Sequence, residues 1–205
     1  MGLAKNKPYW TVEEYLAFEK TSPIKHEYVS GQLYTMAGGT KNHNRIADDF
    51  GAVLNRQFAQ RGQSCEAFTP DVKVPVNPEV YYYPDVVVAC DELTEDEDDD
   101  EYIAENPVLL VEVLSKRTQR TDRYEKMREY QFLPSLREYV IIEQTHYQVE
   151  VYHHHAAGEA WQKEIHTDPT QEVVLASVNA RFTLAEIYGR VRFGATMEDE
   201  ERENP

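Results

Sequence analysis

The chain is 205 residues long and carries 37 acidic against 21 basic side chains, for a formal charge of −16. That length supports one domain with a sizeable core, expected over residues 1–193, followed by an acidic tail over residues 194–205 expected to be disordered. No apolar run is long enough to span a bilayer and the first ten residues lack an apolar signal core, so no membrane is expected as a partner and the cytoplasm is the expected location.

The charge is unevenly spread. Asp91 to Glu101 holds nine acids and no base, and Glu198 to Glu203 holds five acids and Arg202. Without these −9 and −4 contributions the body stands at −3, which leaves room for a basic face able to meet phosphates. Cys65 and Cys90 have no CxxC or CxxH spacing and are expected to be two small buried thiols, neither disulfide-bonded nor zinc-bound.

Thr11-Val12-Glu13-Glu14 is a capping box that predicts a helix from Val12 to about Lys20, stopped by Pro23. Glu27 to Tyr34 reads as two short strands around Ser30-Gly31, with Glu27 at the head of the hairpin; by itself it reads equally well as an exposed edge-strand acid. After Gly38-Gly39, Thr40 caps a long helix with Ile46, Phe50, Val53, Leu54 and Phe58 on one face and Gly62 at its end. His43 falls in its first turn, a place more often taken by a surface or capping residue than by a ligand.

Cys65 to Val76 is expected to be one strand segment, bent or at an edge because of Pro70 and Pro75. Tyr81-Tyr82-Tyr83 leads into a strand at Pro84-Asp85-Val86-Val87-Val88. Pro107 to Ser115 is a continuous apolar run of strand length, the pattern of a strand buried on both faces, interrupted by Glu112. Lys116 to Arg128 is the most basic window. In it Thr121 is the expected cap of a helix with Tyr124, Met127, Tyr130 and Gln131 on its inner side, and Asp122 can pair with Lys126 four residues on. Beyond Pro134 the pattern is β: Glu138 to Glu143, Tyr147 to His153 and Trp161 to His166, with a last capped helical turn after Thr183.

An acid inside an apolar, β-branched strand costs several kcal/mol unless it is partnered or metal-bound, so Asp85 and Glu112 require an explanation that a surface acid does not. A shared divalent cation supplies one. Hard oxygen ligands hold Mg²⁺ while leaving waters in place, and the ion lowers the pKa of a water and polarises a phosphoryl group. A lysine beside it can orient the attacking water or offset charge on phosphorus.

The ordered words Glu27 to Ala37, His43, Tyr83 to Val88, Pro107 to Ser115, and Asp122, Lys126 and Tyr130 resemble the Uma2-like (DUF820) family of the PD-(D/E)XK nuclease superfamily. Glu138 to Ile142 and Leu184 to Tyr188 extend the likeness over most of residues 9–190. The resemblance implies an α/β fold, a restriction-endonuclease-like core with a central mixed β-sheet flanked by helices, plus C-terminal β additions. It implies Asp85 as the motif aspartate and Glu112 as the motif acid, binding Mg²⁺ (or Mn²⁺) with the Val113 carbonyl, and Glu27 as an accessory acid. The motif lysine two residues beyond Glu112 is replaced by Leu114. Lys116 has the right parity but lies roughly 13 Å along the strand, so Lys126, on a helix able to pack back over the strand ends, is the expected amine. Lys116, Arg117, Arg120, Arg123 and His43 are the expected nucleic-acid contacts. The implied activity is that of a metal-dependent DNA endonuclease, with DNA as partner and a homodimer as assembly; the alternative is a catalytically inactive nuclease-fold protein that binds nucleic acid or a protein.

Overall fold

The computed structural model describes residues 9–36, 38–90, 103–115, 119–154 and 159–194. Helix α1 (Val12–Glu19) starts at the expected cap: the Glu14 N–H donates to Thr11 Oγ1 at 3.3 Å and the Thr11 N–H donates to Glu14 Oε2 at 2.9 Å. Strands β1 (His26–Val29) and β2 (Gln32–Thr35) follow, joined through Ser30 and Gly31 at φ 45° and 83°. Two successive left-handed residues make the tight turn whose twist suits a hairpin. Helix α2 (Lys41–Arg61) runs from Thr40 to Gly62, which closes it in the left-handed conformation, and buries the expected stripe from Ile46 to Phe58.

The expected strand from Cys65 to Val76 is instead two: β3 (Glu66–Phe68) and β4 (Val74–Asn77) join different sheets. Pro70 lies between them and cannot donate to a ladder. The cysteines also depart from expectation, since Cys65 and Cys90 are half-buried and joined as a disulfide. They sit one step beyond the Glu66–Ala89 pair of the ladder between β3 and β6 (Val86–Ala89). Cross-strand register brings them together, and their separation in sequence carries no trace of it.

Strand β5 (Val80–Tyr82) completes a four-stranded sheet in the order β2-β1-β5-β4. The chain then crosses at Tyr83-Pro84-Asp85 into a six-stranded sheet, so Asp85 lies just before β6 in the link between sheets. Here β7 (Pro107–Leu114) pairs antiparallel with β6 and parallel with β8 (Glu138–Glu143), while β9 (Val149–His153) and β10 (Gln162–His166) continue to the far edge. The sheet is therefore mixed, with β7 and β8 at its centre in the order β10-β9-β8-β7-β6-β3.

Both faces of these central strands are covered, which accounts for the unbroken apolar run of β7. Leu109, Val111, Val113, Val140 and Ile142 pack toward α2, the hairpin of β11 (Glu172–Leu175) and β12 (Ala180–Thr183), and the last helix α4 (Leu184–Ile187). Val87, Leu110, Leu114, Tyr139 and Ile141 pack toward β4, β5 and helix α3. Helix α3 is a π-helical turn (Thr121–Lys126) that continues as an α-helical turn (Met127–Tyr130). Thr121 does not cap it, because Gln119 and Arg120 are already helical, and Tyr124 and Gln131 lie exposed on its outer side. No helix among the described residues is long and apolar enough to cross a membrane. The acidic segment 91–102, Lys116, Arg117 and the tail from residue 195 lie outside the described residues.

Candidate active site

Alternation along β7 puts Glu112 on the face shared by Leu110 and Leu114, beneath α3 and toward β1 and β5 of the smaller sheet. The helix brings Lys126 onto it. Lys126 Nζ stands 2.9 Å from Glu112 Oε1, 2.8 Å from Glu27 Oε1 of β1 and 3.7 Å from Asp122 Oδ1. The Tyr130 hydroxyl donates to Glu112 Oε1 at 3.1 Å, and the ring of Tyr82 lies 5.2 Å from the ammonium. None of Glu27, Glu112, Asp122 and Lys126 is more than 4% exposed. Glu27 is thus a buried partner and not an exposed edge acid. Leu114 occupies apolar space beside Met127 and Tyr130, and the amine meets Glu112 from the helix.

The π-helical turn matters for this geometry. An α-helix advances about 100° per residue, and a turn bonded from i to i+5 is wider and advances less. Over the three steps from Arg123 to Lys126 the side chains fan further apart than α-helical winding allows. Lys126 points to β1 and β7, while Arg123 reaches Glu143 on β8, with its Nη2 3.1 Å from Oε1, and Glu150 on β9. Arg120 is exposed. Of the described arginines expected to contact nucleic acid, Arg120 therefore faces solvent and Arg123 is engaged by two carboxylates.

Asp85 extends the ladder where β6 begins. Val86, the first residue of that strand, pairs with Val111 of β7, and the next acceptor for β7 is a side chain: Asp85 Oδ2 accepts the Val113 N–H at 2.7 Å. His43, from the first turn of α2, places Nε2 3.1 Å from the same oxygen. His43, expected as a nucleic-acid contact, thus sits against Asp85. Burial disfavours the imidazolium, but the hydrogen bond and charge of Asp85 outweigh it and raise the His43 pKa.

Four carboxylates, Glu27, Asp85, Glu112 and Asp122, surround one ammonium and one imidazole. The excess of negative charge favours the protonated forms of His43, Glu112 and Lys126. Burial pushes the Glu112 carboxyl well above the usual carboxylate range; Lys126 opposes this, while Asp122 and Asp85 add to it. Burial acts against the Lys126 ammonium, yet Glu112 and Glu27 hold its pKa well above the ordinary lysine value. This donor set is of the hard-oxygen type that suits Mg²⁺ or Mn²⁺. As arranged, the carboxylates turn toward Lys126, Tyr130, His43 and the Val113 amide, and no three His, Cys, Asp or Glu side chains among the described residues converge as ligands.

Glu150 is a buried acid beside the site that pattern reading passes over. It lies on alternating β9 and looks solvent-facing, yet it is 2% exposed and accepts from Arg123, from Tyr152 at 2.8 Å, from Gln148 at 3.0 Å and from Lys163 at 2.6 Å. The signal that singled out Glu112, an acid between apolar strand residues, is also present in Val149-Glu150-Val151. Burial raises its pKa, but hydrogen bonds from Lys163, Arg123 and Tyr152 prevail and bring it down to about 2. A carboxylate depressed in the folded state stabilises fully above its unfolded pKa and loses that contribution as pH falls through the folded value. With a discount for the half-exposed Lys163, Glu150→Gln is expected to cost about 2 kcal/mol at pH 7 and to converge on wild type near pH 2, measured by urea unfolding. A gap independent of pH would show that the charge of Glu150 contributes nothing.

A mixed six-stranded sheet, with acids at its central strands and an amine delivered from the crossover helix, makes this a restriction-endonuclease-like α/β fold. A solved structure, a "putative nuclease belonging to DUF820" from Anabaena variabilis, matches with a TM-score of 0.69 over 88% of this chain and 98% of that one, at 16% identity. The chain belongs to the Uma2 family, described as "Putative restriction endonuclease", whose model matches residues 12–185. Two proteins of Synechocystis sp. are similar to it. The uncharacterized protein slr1290 is 34% identical over 187 residues, 91% of this chain and 95% of that protein. The uncharacterized protein sll1609 is 34% identical over 143 residues, 69% of this chain and 79% of that protein.

Proposed function

We propose that this protein is a Mg²⁺- or Mn²⁺-dependent endonuclease that hydrolyses phosphodiester bonds in DNA. The observation that carries the reading is the buried ammonium of Lys126 held between Glu27 and Glu112, with Asp85 bonded to the amide of Val113, the residue next to Glu112. Asp85, Glu112 and the Val113 carbonyl are the groups that would hold the metal. The Val113 N–H faces Asp85, and an antiparallel strand directs a residue's N–H and C=O to the same edge. The ion, when bound, supplies a low-pKa water and polarises the phosphoryl group.

The protein's own groups do the rest. Lys126 presents donors where charge develops on phosphate, and Glu27 fixes the direction of that ammonium. Tyr130 orients the Glu112 carboxylate. Arg120, with Lys116 and Arg117, would meet the phosphate backbone, and a homodimer would bring two such sites to the two strands of a duplex.

The test is a cleavage assay on plasmid, linear duplex, single-stranded DNA and RNA, each with Mg²⁺, Mn²⁺ or EDTA. Metal-dependent breakage of DNA is the expected result. Cleavage of RNA alone would overturn the substrate. One observation favours the second reading, a nuclease-fold protein that only binds: the acids are already satisfied by Lys126 and His43. Nucleic-acid binding with no cleavage under any metal would select it.

A further inference from the structure

We infer that Arg123 is a positioning residue: by bridging Glu143 and Glu150 it fixes the π-helical turn that delivers Lys126 to Glu112, and it does not serve as a phosphate contact. This deepens the nuclease reading and rests on it for the role of Lys126. The anchor is rigid. Glu150 is held by Lys163, Tyr152 and Gln148 as well as by Arg123. It also belongs to the same cross-strand row as the site, since Glu112 pairs with Ile141 and Ile141 with Glu150. Two strand spacings, roughly 10 Å, separate the two acids.

Three residues apart on α3, Lys126 is therefore tied to the Glu112 end of that row and Arg123 to the Glu150 end. A third tie precedes Arg123 in the chain, where the Tyr139 hydroxyl donates to the Asp122 carbonyl at 3.0 Å. Electrostatics excludes the alternative role. Two bases, Arg123 and Lys163, face two acids, Glu143 and Glu150, and such a neutral patch offers phosphate no net attraction. The planar guanidinium fork, which could grip a phosphate, is already spread across two carboxylates.

The test uses the full chain with Arg123→Ala, Arg123→Lys, Lys126→Met and the double variant Arg123→Ala/Lys126→Met. Three readouts are needed: duplex DNA binding in EDTA against salt, cleavage kinetics, and acetylation of Lys126 followed by peptide mass spectrometry, with Lys41 as the exposed control. If Arg123 positions Lys126, Arg123→Ala leaves the salt slope unchanged and lets Lys126 acetylate at least about tenfold faster, with Lys41 unaffected. Its kcat falls about tenfold or more at constant KM, and the double variant cleaves no more slowly than Lys126→Met, because residues acting as one unit are not additive. Arg123→Lys, which keeps the charge and reaches only one carboxylate, should resemble Arg123→Ala and guards against a simple folding defect. A salt slope lowered by about 0.9, the value for one lost phosphate contact, would overturn the inference. Unchanged acetylation would overturn it as well. If wild type cleaves nothing, the nuclease reading fails, and the labelling still decides whether Arg123 holds Lys126.

Discussion

Asp85→Asn is expected to remove metal binding and, with it, at least about a thousandfold of any cleavage activity, several kcal/mol of transition-state charge stabilisation. The fold should survive the change. Asp85 accepts the Val113 N–H at 2.7 Å, and an asparagine carbonyl can accept the same bond, so the extension of the ladder is kept. What the amide cannot supply is a charge to share with Glu112. Calorimetric titration with Mn²⁺ should give heat with wild type and none with the variant, while circular dichroism shows the same fold. A variant that binds metal like wild type would remove Asp85 from the ligand set.

Lys126→Met is expected to lower turnover by roughly a hundredfold or more, the scale of losing one donor aimed at developing charge, while leaving metal binding in place. Methionine keeps much of the stem and so fills the space beside Tyr82 and Tyr130. The loss of the ammonium leaves Glu27 and Glu112 facing each other without their common partner. In metal-free protein that removal should cost stability, since a buried ion pair broken on one side leaves uncompensated charge. Lys116→Met is the control: as the loss of one phosphate contact it should raise KM while leaving turnover close to wild type. Were Lys116→Met dead and Lys126→Met active, the amine would be the wrong one.

How much of this could be read beforehand differs by element, for identifiable reasons. Capped helices were legible from a few neighbouring residues, because Thr11 with Glu14 and Thr40 with Gly62 are local chemistry. Strand β7 and its single acid were legible because burial on both faces leaves no other reason for a glutamate there. Leu114 in place of an expected lysine drew attention to Lys126 only through the family likeness; helical spacing alone ties it to Asp122 and Tyr130, not to Glu112. The split of the segment from Cys65 to Val76, the crossing at Pro84-Asp85 and the bond between Cys65 and Cys90 depend on which strand pairs with which, and that is settled by long-range packing. The π-helical turn left no local sign either. Its ties are tertiary: Lys126 is held by Glu27 and Glu112, and Arg123, three residues before it, by Glu143 and Glu150.

The buried trio of Glu27, Lys126 and Glu112 has a consequence for how this protein balances robustness against use. Three apolar residues of similar bulk in the same space often give an equal or tighter fold, because desolvating charges consumes most of what their attraction returns. A chain that keeps the charges is keeping a reserve of instability at one place. Any cation entering that place binds the folded form and not the unfolded one, so its occupancy feeds directly into folding stability. The protein should therefore be least robust with its metal stripped away and most robust with it bound.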